Sequence, residues 1–327
     1  MIAVIGGAGY IGSHTVKYLI QQGRKVVVFD NLSTGHREFV PSHIPFVNGD
    51  LANKNDLNQL FKSYPDIDTV IHFAAFAYVG ESVQQPSKYY QNNVINTIYL
   101  LDSMLDHKVK NIVFSSTCAT YGNSVVSPIK EDHPQIPINP YGRTKLMMEQ
   151  IMEDYSHAYG LNYVALRYFN AAGADIECEI GEWHEPETHL IPLILDVAIG
   201  KSEAISVFGS DFDTPDGTCI RDYIHVADLA DAHSRAVDYL LVNSDNLKLN
   251  LGNGEGYSVL DIIKTVEEVT GKSINKIMSE KRAGDPARLI GSAEKAKQIL
   301  GWYPQLKLED IITTSWLWHM KKFGGTK

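Results

Sequence analysis

One glycine cluster restricts this chain more than any other feature, because it sits between the first apolar run and the first helical period. Residues 2–5 are a short β-branched run, and Gly6-Gly7-Ala8-Gly9-Tyr10-Ile11-Gly12 follows directly and opens a stretch of helical spacing. Glycines in that place let backbone approach the pyrophosphate of a dinucleotide, while the free N–H groups and dipole of the helix N-terminus face the anion. The spacing is GxxGxxG rather than the commoner GxGxxG. Asp30 ends the next strand candidate, where its carboxylate can accept hydrogen bonds from ribose hydroxyls and would repel a 2′-phosphate, so NAD is expected rather than NADP. A structural turn with a capping Asp is the alternative reading. Gly252-Asn253-Gly254-Glu255-Gly256 also lies between a strand-like and a helix-like stretch, but it does not end the first strand of an alternating unit, and it reads as a structural turn.

Strand candidates at 2–5, 26–30, 46–47, 70–73, 112–115 and 163–168 alternate with helical periods at 10–22, 57–64, 86–107 and 140–158. This βαβαβ rhythm predicts an α/β fold, a doubly wound parallel Rossmann sheet with helices on both faces. After Tyr168 the rhythm changes. Residues 170–187 read as loop, 190–199 and 226–241 as helices, and 258–270 and 308–322 as amphipathic helices. We expect residues 1–170 to form an NAD-binding domain and 171–327 a smaller α/β substrate domain, with the chain free to cross back between them.

Asn139 is an N-cap residue and Pro140 takes the first helical position, so Tyr141 and Lys145 fall at i and i+4 on one helix face. A tyrosine acting as general base needs such a neighbour. Bringing a phenol from about 10 to about 7 takes ~4 kcal/mol, and an ammonium ~4 Å away in an effective dielectric of ~20 supplies that order of energy. Taken alone, the pair reads equally well as a surface contact; Tyr303 and Lys307 repeat the spacing, although Pro304 denies them a helix. Upstream, the strand candidate at 112–115 ends in Ser115-Ser116-Thr117. Those hydroxyls stand at the carboxyl end of a sheet strand, where open α/β sheets bind ligands, so Thr117 can share a proton path with Tyr141.

Charge excludes some partners. Lys and Arg total 29 against 39 Asp and Glu, a net charge of −10, and no basic run offers a track for nucleic acid. An anionic small ligand must therefore be met by placed arginines or helix N-termini. No apolar run reaches the ~18 residues of a membrane span, so no membrane partner is expected. No signal peptide is visible at the first residues. Cys118, Cys178 and Cys219 are odd in number, widely spaced and without a CxxC pair, which fits a reducing, cytoplasmic compartment. The twelve His residues include no HxxxH pair, the nearest couple being His184 and His189 in a Pro/Glu-rich stretch, and no metal is expected.

The loop Gly6–Gly12, Asp30, Ser115–Thr117 and the Tyr141/Lys145 pair together resemble the extended short-chain dehydrogenase/reductase family. His72-Phe73-Ala74-Ala75 with Val79-Gly80-Glu81-Ser82, Tyr89-Tyr90-Gln91-Asn92-Asn93-Val94, Arg167-Tyr168-Phe169-Asn170, Arg221-Asp222-Tyr223-Ile224-His225-Val226 and Gly284-Asp285 narrow the resemblance to its UDP-glucose 4-epimerase branch, nearly end to end. The resemblance implies NAD held by Gly6, Gly9, Tyr10, Ile11, Gly12, Asp30, Asn31, Leu32, Asp50, Leu51, Phe73, Ala74, Ala75, Asn92, Ser115, Tyr141, Lys145, Tyr168 and Phe169. It implies a UDP-hexose among Thr117, Tyr141, Phe169, Asn170, His189, Leu190, Phe208, Arg221, Tyr223, Arg282, Asp285 and Leu289, which gives the anionic substrate two arginines. Leu289, four positions after Asp285, would border the sugar. Ala77 and His189 stand where several relatives carry Lys and Asn. A homodimer is also implied, across the helices at 86–107 and 140–158, whose Met147, Met148, Ile151 and Met152 exceed one sheet-facing stripe.

Inverting a hydroxyl-bearing carbon requires taking its hydride and returning it to the other face, and bound NAD⁺ does both without net redox change. The resemblance therefore implies interconversion of UDP-galactose and UDP-glucose through a transient 4-keto sugar. Tyr141 would take the 4-hydroxyl proton with Thr117 assisting, and Lys145 would hold the nicotinamide ribose and lower the phenol's pKa. Dehydratase relatives place Asp-Glu directly after the active-site Thr, whereas Cys118-Ala119 follow Thr117 here. Epimerases of N-acetylhexosamines or pentoses, and a non-catalytic NAD-sensing regulator, are the alternatives.

Overall fold

The computed structural model describes residues 1–123, 126–282 and 285–324. Alternation of β-branched runs with helical periods gives a seven-stranded parallel sheet built from β1 (Ile2–Ile5), β2 (Val26–Asp30), β3 (Phe46–Asn48), β4 (Thr69–His72), β5 (Asn111–Thr117), β6 (Asn162–Tyr168) and one later strand. Between them run α1 (Tyr10–Gln21), α2 (Lys54–Ser63), α3 (Val79–Gln84), α4 (Pro86–Tyr90), α5 (Asn96–Asp106) and α6 (Pro140–Tyr159). The stretch expected as one helix over 86–107 is helical from Pro86 to Asp106, with one wide π turn at Gln91–Ile95. Wide turns of this kind re-aim side chains and are common at functional sites.

Side chains alternate across the pleat, so each strand feeds two cores. Val4, Val28, Ile71, Val113 and Val164 pack on one face, against Leu229, Ala232 and Val237. Ala3, Val27, Val70, Ile112 and Ala165 pack on the other, against Leu57, Leu100, Met148 and Met152. Met148 and Met152 are fully buried there, so of the four residues expected to be surplus on this helix only Met147 is exposed and Ile151 partly buried. Sheet contacts absorb what the periodicity alone leaves over.

After residue 170 the chain leaves the large sheet and later crosses back to it, so the boundary there is not a single cut. β7 (Asn170–Ala172), which interrupts the expected 170–187 loop, leads through α7 (Leu190–Ala198), β8 (Ile205–Phe208), β9 (Ile220–Arg221) and β10 (Tyr223–His225) into α8 (Val226–Val242) and β11 (Leu247–Leu251). β11 pairs parallel with β6 and gives the large sheet the order β11-β6-β5-β4-β1-β2-β3. Residues 226–251 therefore belong with the first lobe and not with a unit spanning 171–327, because the apolar stripe of α8 is buried on the same sheet face as α1. The second lobe comprises α7, β8, β12 (Tyr257–Ser258), α9 (Val259–Thr270), β13 (Lys276–Ser279), β14 (Arg288–Leu289) and α11 (Leu308–Phe323), around Ile194, Ile262, Val266 and Ile312. The short helix α10 (Glu294–Leu300) buries Ala296 against the first lobe. Strand order reverses between β1 and β4, and open sheets of this kind bind ligands at the carboxyl ends of strands around such a point.

Candidate active site

The loop after β1 is shaped for close approach. A Cβ on Gly12 would lie 2.2 Å from the carbonyl oxygen of Gly6, so nothing larger than glycine fits the turn into α1. Gly9 is the N-cap of α1 and has no side chain to accept the first N–H groups of the helix, which leaves them for an anion. Asp30 is buried at the end of β2; its two oxygens accept from Ala8 N (2.9 Å) and Leu32 N (2.8 Å), each with a lone pair to spare. Burial raises its pKa and those two N–H groups oppose the rise. Asn31 donates to Asp50 Oδ2 at 3.0 Å beside it. Phe73 and Ala74 hang from the Ile5 carbonyl at the end of β1, and the ring of Phe73 packs on His233. These placements fit a bound dinucleotide. Two expected contacts can be made only by backbone: Leu51 is a core side chain, and the Tyr10 hydroxyl is committed to Gly173 O at 2.5 Å.

Across the cleft, Asn139 caps α6 through Gly142 N (2.8 Å) and Pro140 starts it. A Cβ at Gly142 would meet Ala119 O at 2.4 Å, so glycine there lets the first turn of α6 press against the end of β5. That approach brings Tyr141 to Thr117, whose side chain opposes the rise in phenol pKa caused by burial and then by Tyr168. The phenol stands well above its ordinary value. Lys145 stands one turn on, where its buried ammonium donates to the carbonyl of Ser115 at 2.7 Å and lies over the ring of Phe114. Burial lowers it to about 7, with Glu149 opposing. The Tyr141 phenol is thus raised, while the Lys145 ammonium is bonded to the strand-end carbonyl. Ser115 Oγ bonds the Tyr168 hydroxyl.

A lysine whose folded-state pKa lies below its unfolded value penalises folding fully below the folded value, and the penalty fades as pH rises towards the unfolded one. Replacing Lys145 with Met is thus expected to stabilise the cofactor-free chain at pH 7, with a margin that shrinks towards pH 10. Urea midpoints at both pH values check this, and a margin that grows with pH contradicts it.

On the second lobe, Phe208, Arg221, Arg282 and Asp285 converge. Arg282 lies over the ring of Phe208 at 4.4 Å and 3.6 Å from Asp285, and Arg221 donates to Pro286 O (2.8 Å) with Asp285 3.8 Å away. Gly284 of the same motif lies outside the described residues. Asn170 donates to Asp222 O at 2.8 Å, and Tyr223 pairs beside it in the β7–β10 ribbon. Leu289 packs with Cys118, Tyr121, Ile129 and Phe169, which puts it against the end of β5. His189 and Leu190 mark the start of α7.

Sequence reasoning missed three groups. Arg167, fully buried, forms a two-pronged ion pair with Glu149 (Nε to Oε1 2.9 Å, Nη2 to Oε2 2.6 Å) and donates to the Tyr121 hydroxyl at 2.7 Å. Ser116 donates to the same carboxylate at 2.6 Å. Glu149 continues the helix face of Tyr141 and Lys145 at the next i+4 step, a signal legible in the sequence. Asn93 accepts from Phe76 N and donates to Phe76 O and Thr144, tying the loop after β4 to α6. Asp222 is fully buried, and its carboxylate takes the N–H groups of Asn253 (2.9 and 3.1 Å), Gly254 (3.4 Å) and Gly291 (3.0 Å). An internal carboxylate thereby fills the second glycine loop. Burial raises Asp222 to about 7 against those donors.

Residues 2–252 match the NAD dependent epimerase/dehydratase family. The chain is 53% identical to a UDP-glucose 4-epimerase of Halalkalibacterium halodurans over 99% of its own length and 97% of that protein. Its structure superposes on a crystal structure of UDP-glucose 4-epimerase from Brucella ovis in complex with NAD at a TM-score of 0.95, with 50% identity and coverage of 99% and 98% of the two chains. A Bifidobacterium longum UDP-glucose 4-epimerase in complex with NAD+ and UDP superposes at 0.93, with 38% identity and 99% of each chain covered.

Proposed function

The chain belongs to the NAD dependent epimerase/dehydratase family, and from that premise we propose that it interconverts UDP-galactose and UDP-glucose with tightly held NAD. The observation that carries the reading is the pressing of the first turn of α6 onto the end of β5, which sets the Tyr141 phenol against Thr117 with a buried ammonium one turn away. When bound, NAD supplies a reversible hydride acceptor, and the site then needs only one group to move a proton. Tyr141 takes the 4-hydroxyl proton and returns it after the 4-keto sugar has turned over, and Thr117 relays. The Gly6–Gly12 loop and the α1 N-terminus would hold the pyrophosphate, Asp30 the adenosine ribose and Lys145 the nicotinamide ribose. Arg221 and Arg282 meet the UDP diphosphate. Cys118 and Ala119 cannot supply the acid and base of a dehydratase. Purified chain mixed with UDP-galactose and no added cofactor should yield UDP-glucose and release NAD on acid treatment; a dependence on added NADPH, or no product, overturns the reading.

Leu289 walls the sugar side. A methylene or two in an apolar pocket is worth ~1–3 kcal/mol, so N-acetylated sugars should be disfavoured by about 10–200-fold rather than excluded. Leu289→Tyr is expected to depress turnover of UDP-N-acetylgalactosamine and spare UDP-galactose, with Leu289→Ala doing the reverse; equal effects on both sugars would remove Leu289 from the pocket.

A homodimer belongs to the same reading. Ile95, Met147 and Tyr159, exposed on the π-turn and α6, support it. Light scattering at micromolar concentration should give about twice the 36.4 kDa chain mass, and a monomer mass rejects it. The reading includes a cytoplasmic location, which the three free thiols Cys118, Cys178 and Cys219 support. No helix of the described residues is long and apolar enough to cross a membrane.

A further inference from the structure

We propose that Glu182, His184, Glu187 and His189 form a four-ligand site for a divalent transition-metal ion of the zinc type. All four donors come from the irregular segment between β7 and α7, where no helical or strand spacing announces them and only the nearness of His184 to His189 is visible in the sequence. One ligand atom from each lies within 4.8 Å of all the others. The imidazole-to-carboxylate separations are 2.8 Å (His189 Nδ1 to Glu187 Oε1), 3.0 Å (His189 Nδ1 to Glu182 Oε1), 3.4 Å (His184 Nδ1 to Glu187 Oε2) and 3.6 Å (His184 Nδ1 to Glu182 Oε1). Four ligands at ~2.0–2.2 Å around a tetrahedral zinc stand roughly 3.3–3.5 Å apart, so the His184 separations already lie near that geometry, and the hydrogen bond and ion pair of His189 would open by about half an ångström on binding.

A second observation is independent of the clustering. His184 Nδ1 is buried and makes no hydrogen bond, although it stands between two carboxylates. His14 Nε2, His72 Nδ1, Ser103 Oγ and His233 Nε2 are also buried without a hydrogen-bond partner, but His184 Nδ1 has two carboxylates within 4 Å, and a cation at the centre supplies its partner. The ligands are also held from outside: Trp318 Nε1 donates to Glu182 O (3.1 Å), and Glu187 accepts the N–H groups of Thr188 (2.7 Å) and His189 (2.8 Å). Two carboxylates balance a dication, and two imidazoles select zinc, cobalt or nickel over magnesium and calcium. The rings of Tyr10 and Tyr78 stand edge-on to His184, so the ion would lock this segment against the first residue of α1 and fix the start of α7. Its role is positional; it takes no part in proton or hydride transfer.

The test uses the full chain with any purification tag removed, freed of metal by chelator and titrated with Co(II). Expected is one equivalent of saturable binding with the strong visible absorption of tetrahedral cobalt, displaced by Zn(II) and not by millimolar Mg(II). His184→Ala and His189→Ala should each weaken binding by at least ~10-fold. Glu177→Gln, in the separate acidic group that Lys17 neutralises, should not. Absence of saturable Co(II) absorption, equal binding by His189→Ala, whose exposed side chain makes misfolding no excuse, or displacement by Mg(II) overturns the site. The readout is binding alone, so it stands whether or not the chain epimerises sugars.

Discussion

Tyr141→Phe should lower epimerase turnover by about 10³–10⁴-fold while UDP affinity stays within a few-fold. Removing a positioned acid/base group costs ~10²–10⁴ in rate, and here the same oxygen would act in both half-reactions, which argues for the upper end. The ring would still fill its place between Thr117 and Tyr168, so binding should survive. In the protein alone the phenol sits above its ordinary value, since burial and Tyr168 outweigh Thr117 and Lys145 is held by Ser115. Turnover of the wild type should therefore rise with pH along a single limb that the Phe variant loses. Single-turnover assays across pH check both statements. Near-normal epimerisation by Tyr141→Phe would mean that another group carries the proton.

The second large effect is on stability. Arg167 and Glu149 are buried at 2% and 0% side-chain exposure, and Ser116 and Tyr121 complete the network. Two charges taken from water gain little net energy as a pair, yet removing one leaves the other uncompensated, at ~3–5 kcal/mol. Glu149→Gln, which strands a guanidinium that cannot shed its proton, is expected to lower the melting temperature by on the order of 10 °C. Arg167→Met should cost less, because a stranded carboxylate can protonate and keeps the Ser116 donor. Glu149→Gln combined with Arg167→Met should recover part of the loss, as it removes both charges. Thermal melts of the three variants decide this. An unshifted melt for Glu149→Gln would show that water reaches the pair.

Much of the first lobe was legible in the sequence, and for a local reason. Period-2 and period-3.6 patterns are properties of neighbouring residues, so β1, β2, α1 and α6 could be placed from spacing and caps such as Asn139 and Pro140. The turn of glycines and the i, i+4 relation of Tyr141 and Lys145 are local in the same sense. Short strands such as β9, β12 and β14, two residues each, carry no period to read and exist only because they pair.

What the sequence by itself determined was the alternating α/β plan, the phosphate-facing loop with Asp30, and a helix face bearing a tyrosine and a lysine. The tertiary structure alone decided the return of β11 to the large sheet, which depends on where α8 finds its apolar partners. It also decided that Asp222, 31 residues before Asn253 in the sequence, fills one glycine loop while the other stays open. Only in the folded chain does Lys145 meet the Ser115 carbonyl, Arg167 meet Glu149, and His184 meet two carboxylates. The physical reason is common to all of these. Periodicity records which face a residue turns to the core, whereas the partner of a buried charge is set by which distant segments the closed core forces together, and burial then makes that partnership obligatory.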